Sequence, residues 1–322
     1  MQYSSDVEAV DAFREKFGNL RSEIAKVIVG QDDVIKDLLI CIFSNGHCLL
    51  VGVPGLAKTL MVNTLAQILG LSYSRIQFTP DLMPSDILGT EILGENREFR
   101  FIKGPVFANV ILADEINRTP PKTQSALLEA MQERAVTVAG NNYKLDDPFF
   151  VLATQNPIEQ EGTYPLPEAQ LDRFMFNVTL DYPSFEEEKK VVEYTTSLVD
   201  ISLNKILSAE EILFFQQLVR KIPVNENLVD YAVKLASRTR PGTPLAHPKA
   251  TEFISWGAGP RASQYLIIGA KCHALIHGKY TPDIEDIRAV AKPILRHRIV
   301  RNYKAEAEGI REDYLINEFM NL

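Results

Sequence analysis

The chain of 322 residues is long enough for two domains of ordinary size, and its hydrophobic fraction of 46% permits a substantial core. Its formal net charge of −8 at pH 7 argues against a broad nucleic-acid-binding surface, although a local basic patch is compatible with it. The three cysteines show no C-x-x-C spacing, and the sequence has neither an N-terminal signal pattern nor an apolar run of about 18 residues. We therefore expect a cytoplasmic protein without a membrane span.

The order of predicted elements divides the chain into two parts. Helical patterns cover residues 5–28, as one helix or as two that break at Gly18, and residues 33–43. From residue 48 to about 180 strands alternate with helices, which predicts a parallel α/β sheet. Residues 185–322 are helical almost throughout, so we place a domain boundary near Pro183. The predicted domains are an α/β domain at 1–183 and a helical domain at 184–322.

A glycine-rich loop follows the first predicted strand, 48–51, and opens a helical pattern. In this context it predicts a phosphate-binding loop, because its N–H groups and the positive helix end would face the phosphates of a nucleotide. Lys58 is expected to reach the β- and γ-phosphates, and the Thr59 hydroxyl to bind Mg²⁺. Alanine at position 57 replaces the usual glycine and restricts the backbone there; an ordinary tight turn is the alternative interpretation. The loop consists of Gly52, Val53, Pro54, Gly55, Leu56, Ala57, Lys58 and Thr59.

Polar side chains follow the next two predicted strands. Residues 109–115 predict a short buried strand, apolar at 110–113, that ends in Asp114 and Glu115. Ligands of parallel sheets bind at the carboxyl ends of strands. Asp114 is suited to holding Mg²⁺ through its water shell, and Glu115 to polarising an attacking water. The third strand, 149–154, leads to Asn156, whose amide is a candidate for orienting that water; an Asn-Pro turn is the alternative.

Four further segments lie outside this minimal pattern. Residues 79–104 predict an irregular insertion with a small hairpin, and residues 135–145 predict a β-hairpin with its turn at 140–142. Either hairpin could contact a partner or another subunit, or could be a surface decoration. The basic stretch 288–304 is interpreted as the solvated face of a helix. Cys272, His273 and His277 have a spacing that zinc can use, but no fourth ligand is evident, so we discount a metal site there.

These motifs resemble those of the AAA+ ATPases, and specifically of the MoxR group, over about residues 30–305. The resemblance implies a P-loop NTPase sheet with a C-terminal all-α lid, and it makes alanine acceptable before the lysine of the phosphate loop. It also identifies the insertion at 79–104 as a helix-2 insert and the hairpin at 135–145 as a pre-sensor-1 hairpin. The matching segments are residues 52–59, 114–118, 124–133, 153–157, 161–174 and 259–263.

The resemblance assigns roles to two arginines. Arg173 matches the arginine finger, which would reach the γ-phosphate bound by a neighbouring subunit; an ion pair with Asp172 or Glu168 of its own chain is the alternative. Arg261 matches sensor 2, which would touch the same phosphate from the lid of its own chain; a helix N-terminal arginine without a ligand is the alternative.

The activity that the resemblance implies is ATP hydrolysis with Mg²⁺ in a homo-hexameric ring that remodels a partner protein. Val29 and Gly30 would line the adenine pocket, and von Willebrand factor A domain proteins would be the partners. A nucleic-acid motor, a magnesium-chelatase-like motor subunit and a nucleotide-gated module without useful turnover are the alternatives. The acidic net charge disfavours nucleic acid as a ligand, and the absence of an Asn-Lys-x-Asp signature disfavours a GTPase.

Overall fold

The computed structural model describes residues 3, 5–94, 97–158, 162–196 and 201–321. The elements of the first part are α1 (Asp6–Ile24), α2 (Asp32–Phe43), β1 (Cys48–Val51), α3 (Lys58–Ile68), β2 (Tyr73–Gln77), α4 (Pro84–Leu88), β3 (Gly89–Leu93), β4 (Phe99–Lys103), β5 (Val110–Asp114), α5 (Pro121–Glu133), β6 (Ala135–Val138), β7 (Asn141–Lys144), β8 (Phe150–Gln155), α6 (Glu168–Leu171) and β9 (Phe176–Thr179). Short 3₁₀ segments occupy Pro105–Phe107 and Ile116–Arg118.

The central sheet is parallel and has the strand order β2-β5-β8-β1-β9. Leu50 of β1 and Leu112 of β5 join a hydrophobic cluster on one face, which includes α2 and α3. Leu49 and Ile111, their neighbours in sequence, join a second cluster on the other face, which includes α5. Both faces of the sheet are therefore covered, which is why the inner strands β1, β5 and β8 are largely continuous apolar runs, and the predicted parallel α/β sheet is confirmed.

The second part of the chain is helical, with one short antiparallel ladder. Its elements are α7 (Phe185–Thr196), α8 (Ala209–Lys221), α9 (Glu226–Arg238), α10 (Pro248–Phe253), β10 (Ile254–Trp256), α11 (Pro260–Ile276), α12 (Ile284–Leu295), a 3₁₀ segment (Arg296–Arg298), β11 (Val300–Arg301), α13 (Tyr303–Ala307) and α14 (Glu312–Met320). The ladder pairs Ile254 with Arg301 and Trp256 with Val300. The boundary that we place near Pro183 falls in the connection between β9 and α7 and stays a prediction.

The N-terminal helix connects the two parts. Residues 6–24 form one helix, without a break at Gly18, and the Ser5 hydroxyl caps it by accepting the N–H of Glu8 at 3.2 Å. Its Phe13 ring lies 4.9 Å from that of Phe43 in α2 and 5.2 Å from that of Phe215 in α8. One hydrophobic cluster therefore extends from the sheet through α1 and α2 into the helical part.

Two hairpins project from the sheet domain. β3 pairs with β4, within the predicted insertion, and β6 pairs with β7. The second turn lies at Ala139 and Gly140, one residue earlier than the predicted 140–142. Both residues have positive φ, 49° and 84°, which is the backbone that a two-residue hairpin turn requires.

Candidate functional site

The glycine-rich loop joins β1 to α3, and α3 begins at Lys58. Gly55 has φ 86° and Ala57 has φ 55° and ψ 23°, so the chain passes through the left-handed region twice before the helix. The N–H groups of Gly55, Leu56 and Ala57 donate no hydrogen bond to another residue that the structure describes. A turn with several unpartnered N–H groups in front of a helix N-terminus is a concave site for an anion.

Lys58 lies inside this turn. Its ammonium donates to the carbonyl oxygen of Gly52 at 2.6 Å, so the side chain folds back over the loop that it follows. Burial lowers the pKa of Lys58 from its ordinary value, while the nearby carboxylates of Asp114 and Glu115 act in the opposite direction. The loop, the lysine and the two carboxylates thus lie together at the carboxyl ends of the parallel strands.

Asp114 is the last residue of β5, and its carboxylate is almost entirely buried. Oδ1 accepts the hydroxyl of Thr154 at 2.7 Å. Oδ2 accepts two N–H groups of Arg75, from Nη2 at 2.7 Å and from Nε at 3.1 Å. These charge-assisted contacts fix the carboxylate at the carboxyl end of β5, on the side of the sheet where the loop lies.

Glu115 follows in a left-handed conformation, with φ 58° and ψ 49°. Its N–H donates to the Thr154 hydroxyl at 2.8 Å, since the β5–β8 ladder ends one residue pair before Asp114. Its Oε2 accepts the side-chain amide of Gln77 at 2.9 Å and lies 3.3 Å from Nε of Arg118. The side chain of Glu115 is therefore held beside β2 by polar neighbours.

Thr154, Arg75 and Gln77 were not predicted from the sequence. Thr154 lies at the tip of β8 and connects to both carboxylate residues through a single hydroxyl. Its polar side chain at the end of an apolar strand was the available signal. Arg75 and Gln77 lie on β2, two residues apart and hence on the same side of the strand. Only the strand order, with β2 next to β5, brings them to the carboxylates.

Asn156 lies just beyond β8 and is nearly buried. Its side-chain oxygen accepts the N–H of Ile158 at 3.1 Å, which is the local turn that we gave as the alternative interpretation. The side chain nevertheless follows the strand next to β5, as expected. Its catalytic role stays a prediction.

A cavity of about 270 Å³ lies beside the loop. Val29, one of the two residues predicted for the adenine pocket, lines it, and Gly30 lines an adjoining cavity. Gly30 has φ 69°, a left-handed backbone that favours glycine, and a Cβ there would lie 2.5 Å from Oε1 of Glu187 in α7, so the Glu187 side chain would have to move. Leu56 of the predicted loop also lines this cavity, whereas the sequence did not predict the walls formed by Ile28, Leu60, Pro183 and Tyr194.

The two arginines of the family resemblance both make contacts within the chain. Arg173 donates to the carbonyl oxygen of Leu128 in α5. Arg261 donates to Oδ2 of Asp172 at 3.0 Å, so Asp172 pairs with the lid and not with Arg173. The roles of Arg173 as a finger and of Arg261 as a sensor stay predictions.

The basic stretch 288–304 is a solvated face only in part, because Lys304 is exposed whereas Arg298 is buried. Arg298 is 5% exposed; its Nε donates to Oδ1 of Asp172 at 2.7 Å, and other donors reach the carbonyl oxygens of residues 172, 174, 175 and 294. Arg296 pairs with Asp313 and donates to the carbonyl oxygen of Asn177 at 2.9 Å. Our interpretation was wrong for Arg298, because most of its partners lie far away in the sequence, where helical periodicity gives no information.

The histidine cluster of α11 includes a carboxylate that the sequence did not suggest. Asp286 lies beside His273 and His277, whereas Cys272 is fully buried. The oxygens of Asp286 are already engaged, with Nδ1 of His273 at 2.7 Å, Nζ of Lys279 at 3.1 Å and the N–H of Asp283 at 2.9 Å. This arrangement accounts for the buried carboxylate without a metal ion.

Comparisons with known proteins identify the family to which this chain is similar. The model of the ATPase family associated with various cellular activities (AAA) matches residues 47–176, and that of the AAA lid domain matches residues 249–319. Chaperone MoxR1 of Mycobacterium tuberculosis is 46% identical over 92% of this chain and 79% of its own length. Protein MoxR of Methylorubrum extorquens is 31% identical over 89% of this chain and 88% of its own length.

Two further proteins match nearly the whole chain. The uncharacterized protein YeaC of Bacillus subtilis is 41% identical over 100% of this chain and 96% of its own length. A crystal structure from Cytophaga hutchinsonii, of a protein provisionally assigned as an ATPase, superposes with a TM-score of 0.91 at 46% identity and covers 97% of this chain and 96% of that one. Among the described residues, no helix has the length and apolar character needed to cross a bilayer. The fold and these relatives show that the chain belongs to the MoxR group of the AAA+ ATPases.

Proposed function

We propose that this chain binds and hydrolyses ATP in a Mg²⁺-dependent reaction. The observation that carries the proposal is the meeting of three groups at one sheet edge: the unpartnered N–H groups of the loop, the Lys58 ammonium, and the carboxylates of Asp114 and Glu115. A triphosphate needs donors and positive charge, and a hydrolytic water needs an acceptor close by. The AAA family match over residues 47–176 supports this assignment.

The oxygen donors at this edge fit Mg²⁺. Thr59 offers a hydroxyl and Asp114 a carboxylate, which are the hard ligands that Mg²⁺ takes in small number while it keeps several waters. Bound Mg²⁺ would neutralise charge on the β- and γ-phosphates. Lys58 would bind the same phosphates once it leaves the Gly52 carbonyl oxygen. Glu115 would accept a proton from the attacking water, and Asn156 would orient that water.

The proposed site is completed by arginines. Arg173 would reach the γ-phosphate of a neighbouring protomer in a homo-hexameric ring, and Arg261 would reach the phosphate of its own protomer from the lid. Both side chains would first have to leave their present acceptors, the Leu128 carbonyl oxygen and Asp172. We therefore expect the isolated protomer to be a slow enzyme and the ring to be a fast one.

Replacement of Arg173 tests the shared site. Arg173→Ala should lower the turnover number about 10³–10⁵-fold, because a trans arginine stabilises charge in the transition state, while nucleotide binding persists. Phosphate release and nucleotide binding are measured on protein whose oligomeric state has been determined by light scattering. Arg220→Ala, at an exposed position of α8, is the matched control. Full turnover of Arg173→Ala in an intact ring would contradict the finger assignment.

Replacement of Glu115 tests the base. Glu115→Gln keeps the shape and polarity of the side chain but cannot accept the proton, so ATP should bind and remain uncleaved. The nucleotide recovered from the washed protein is identified by chromatography. If only ADP is recovered, and it forms at the rate seen with the wild-type protein, Glu115 is not the base that activates the water.

We propose further that hydrolysis serves a chaperone-like remodelling of a partner complex, with a von Willebrand factor A domain protein as the partner class. The name of the relative Chaperone MoxR1 supports this role. The internal pairing of Arg296 and Arg298 removes basic groups that a nucleic-acid motor could have used. Affinity capture with Glu115→Gln in MgATP, against Lys58→Ala as a control that should not bind nucleotide, should retain the partner only with the trap. Equal capture by both variants would count against ATP-dependent remodelling.

A further inference from the structure

The side chain of Arg75 occupies the acceptor that the proposed metal site requires. Arg75 lies in the middle of β2, at the edge of the sheet, with its side chain 47% exposed. Nη2 and Nε both donate to Oδ2 of Asp114, at 2.7 and 3.1 Å. Because Thr154 donates to Oδ1 at 2.7 Å, each oxygen of this buried carboxylate already has a protein donor.

Arg75 also reaches the second carboxylate indirectly. Its Nη2 donates to Oε1 of Gln77 at 2.6 Å, and Nε2 of the same amide donates to Oε2 of Glu115 at 2.9 Å. The guanidinium therefore fixes which end of the Gln77 amide faces Glu115, because an amide that offers its oxygen to Arg75 must offer its N–H to the other side. Asp114, Arg75, Gln77 and Glu115 form one continuous chain of hydrogen bonds.

Mg²⁺ and Arg75 need the same group. Waters in the shell of Mg²⁺ are donors, as are the N–H groups of arginine, and Oδ2 already accepts two N–H groups. A guanidinium is permanently charged, so its proximity also raises the electrostatic cost of a divalent cation at Asp114. The two occupants therefore oppose each other at this carboxylate.

We propose that Arg75 is a positioning residue that competes with Mg²⁺ for Asp114 and transmits the outcome to Glu115 through Gln77. With Arg75 on Asp114, Gln77 holds Glu115 beside β2. Once the metal–nucleotide complex takes Asp114, Arg75 leaves and the Gln77 amide is free to rotate. Glu115 then loses its hydrogen bond to Gln77 and keeps its contact with Arg118, so it can turn toward the water that it activates. This inference rests on the proposed nucleotide site.

The test is metal-dependent nucleotide binding, measured without turnover. A fluorescent ATP analogue is titrated in the Glu115→Gln background with Mn²⁺ and with EDTA, and free Mn²⁺ is followed by electron paramagnetic resonance. Arg75→Met removes the charge and the donors but keeps an unbranched chain of similar reach. We expect it to tighten binding of the Mn²⁺ complex about tenfold, which corresponds to about 1.4 kcal/mol, and to leave binding in EDTA within about twofold.

Three further variants make the result specific. Arg75→Lys, with a single ammonium in place of the two donors on Oδ2, should shift the affinity in the same direction by less. Gln77→Leu keeps the two Arg75–Asp114 hydrogen bonds but removes the other acceptor of Nη2, so it should change Mn²⁺ binding by less than Arg75→Met does. Arg100→Met, at an exposed position of β4, controls for the loss of an arginine near the domain surface.

Each outcome of these titrations either supports or contradicts the competition between Arg75 and the metal ion. Tighter Mn²⁺-dependent binding in Arg75→Met and Arg75→Lys, with a smaller change in Gln77→Leu, supports the competition. Unchanged or weaker binding in a folded Arg75 variant overturns it, because Arg75 would then be indifferent or would support Asp114 as a ligand. If the parent protein binds no metal–nucleotide complex at all, the proposed function fails as well, so the two failures are distinguishable.

Discussion

Replacement of Thr154 is the most direct test of how the carboxylate edge is built. Its hydroxyl donates to Oδ1 of Asp114 at 2.7 Å and accepts the N–H of Glu115 at 2.8 Å, in a fully buried position. Thr154→Val keeps the shape and removes both bonds. An unsatisfied buried N–H costs about 1–3 kcal/mol, and a lost hydrogen bond to a charged group about 1.5–3 kcal/mol.

We expect Thr154→Val to lower the free energy of unfolding by about 3 kcal/mol, toward the lower end of that sum, because Arg75 still donates to Asp114. Thr154→Ser is the control, since it keeps the hydroxyl and loses only a methyl group, for about 1 kcal/mol. Urea unfolding at 25 °C with linear extrapolation measures both. If the valine variant is no less stable than the serine variant, the two hydrogen bonds do not hold this edge together.

Other predictions concern stability away from the carboxylates. Burial raises the pKa of Asp37 to about 7. Because the unfolded chain ionises first, the free energy of unfolding should fall by up to about 4 kcal/mol between pH 4 and pH 7. Asp37→Asn should flatten this pH dependence in urea unfolding, and an unaltered pH dependence would disprove the role of Asp37. Ala57→Gly, at φ 55°, should match or exceed the parent in melting temperature, whereas Ala57→Val should be at least about 1 kcal/mol less stable; the reverse order would refute strain at this residue. Arg298→Met should cost about 3–5 kcal/mol, because Asp172 and several carbonyl oxygens lose a buried donor; a loss under 1 kcal/mol, by calorimetry, would show that the contact is not needed.

The sequence predicted those parts of the site that lie on one short segment. The loop before α3, and the carboxylates after β5, could be identified because each combines an apolar run with a polar tip. The fold class followed from the alternation of such runs with helical patterns. These signals are local, so they do not depend on knowing the strand order.

What the sequence did not predict depends on contacts between distant segments. Arg75 and Gln77 belong to a short strand with no distinctive pattern, and their role follows only from the position of β2 next to β5. The contribution of Tyr194 and Pro183 to the cavity beside the loop requires α7 to return to residue 30. Arg298 was misinterpreted for the same reason, since most of its acceptors lie about 120 residues earlier in the chain.

The anchoring of residues 172–175 has a mechanical consequence. The chain there is fastened by the guanidinium of Arg298, which belongs to the helical part, and by Arg261 through Asp172. The phosphate loop, by contrast, directly follows β1, which lies inside the sheet between β8 and β9. Arg173 itself donates to Leu128 in the sheet domain, and β9 begins only three residues later, at Phe176. A tilt of the helical part would therefore pull on this short segment against the sheet, so Arg173 lies where strain between the two parts of the chain would concentrate.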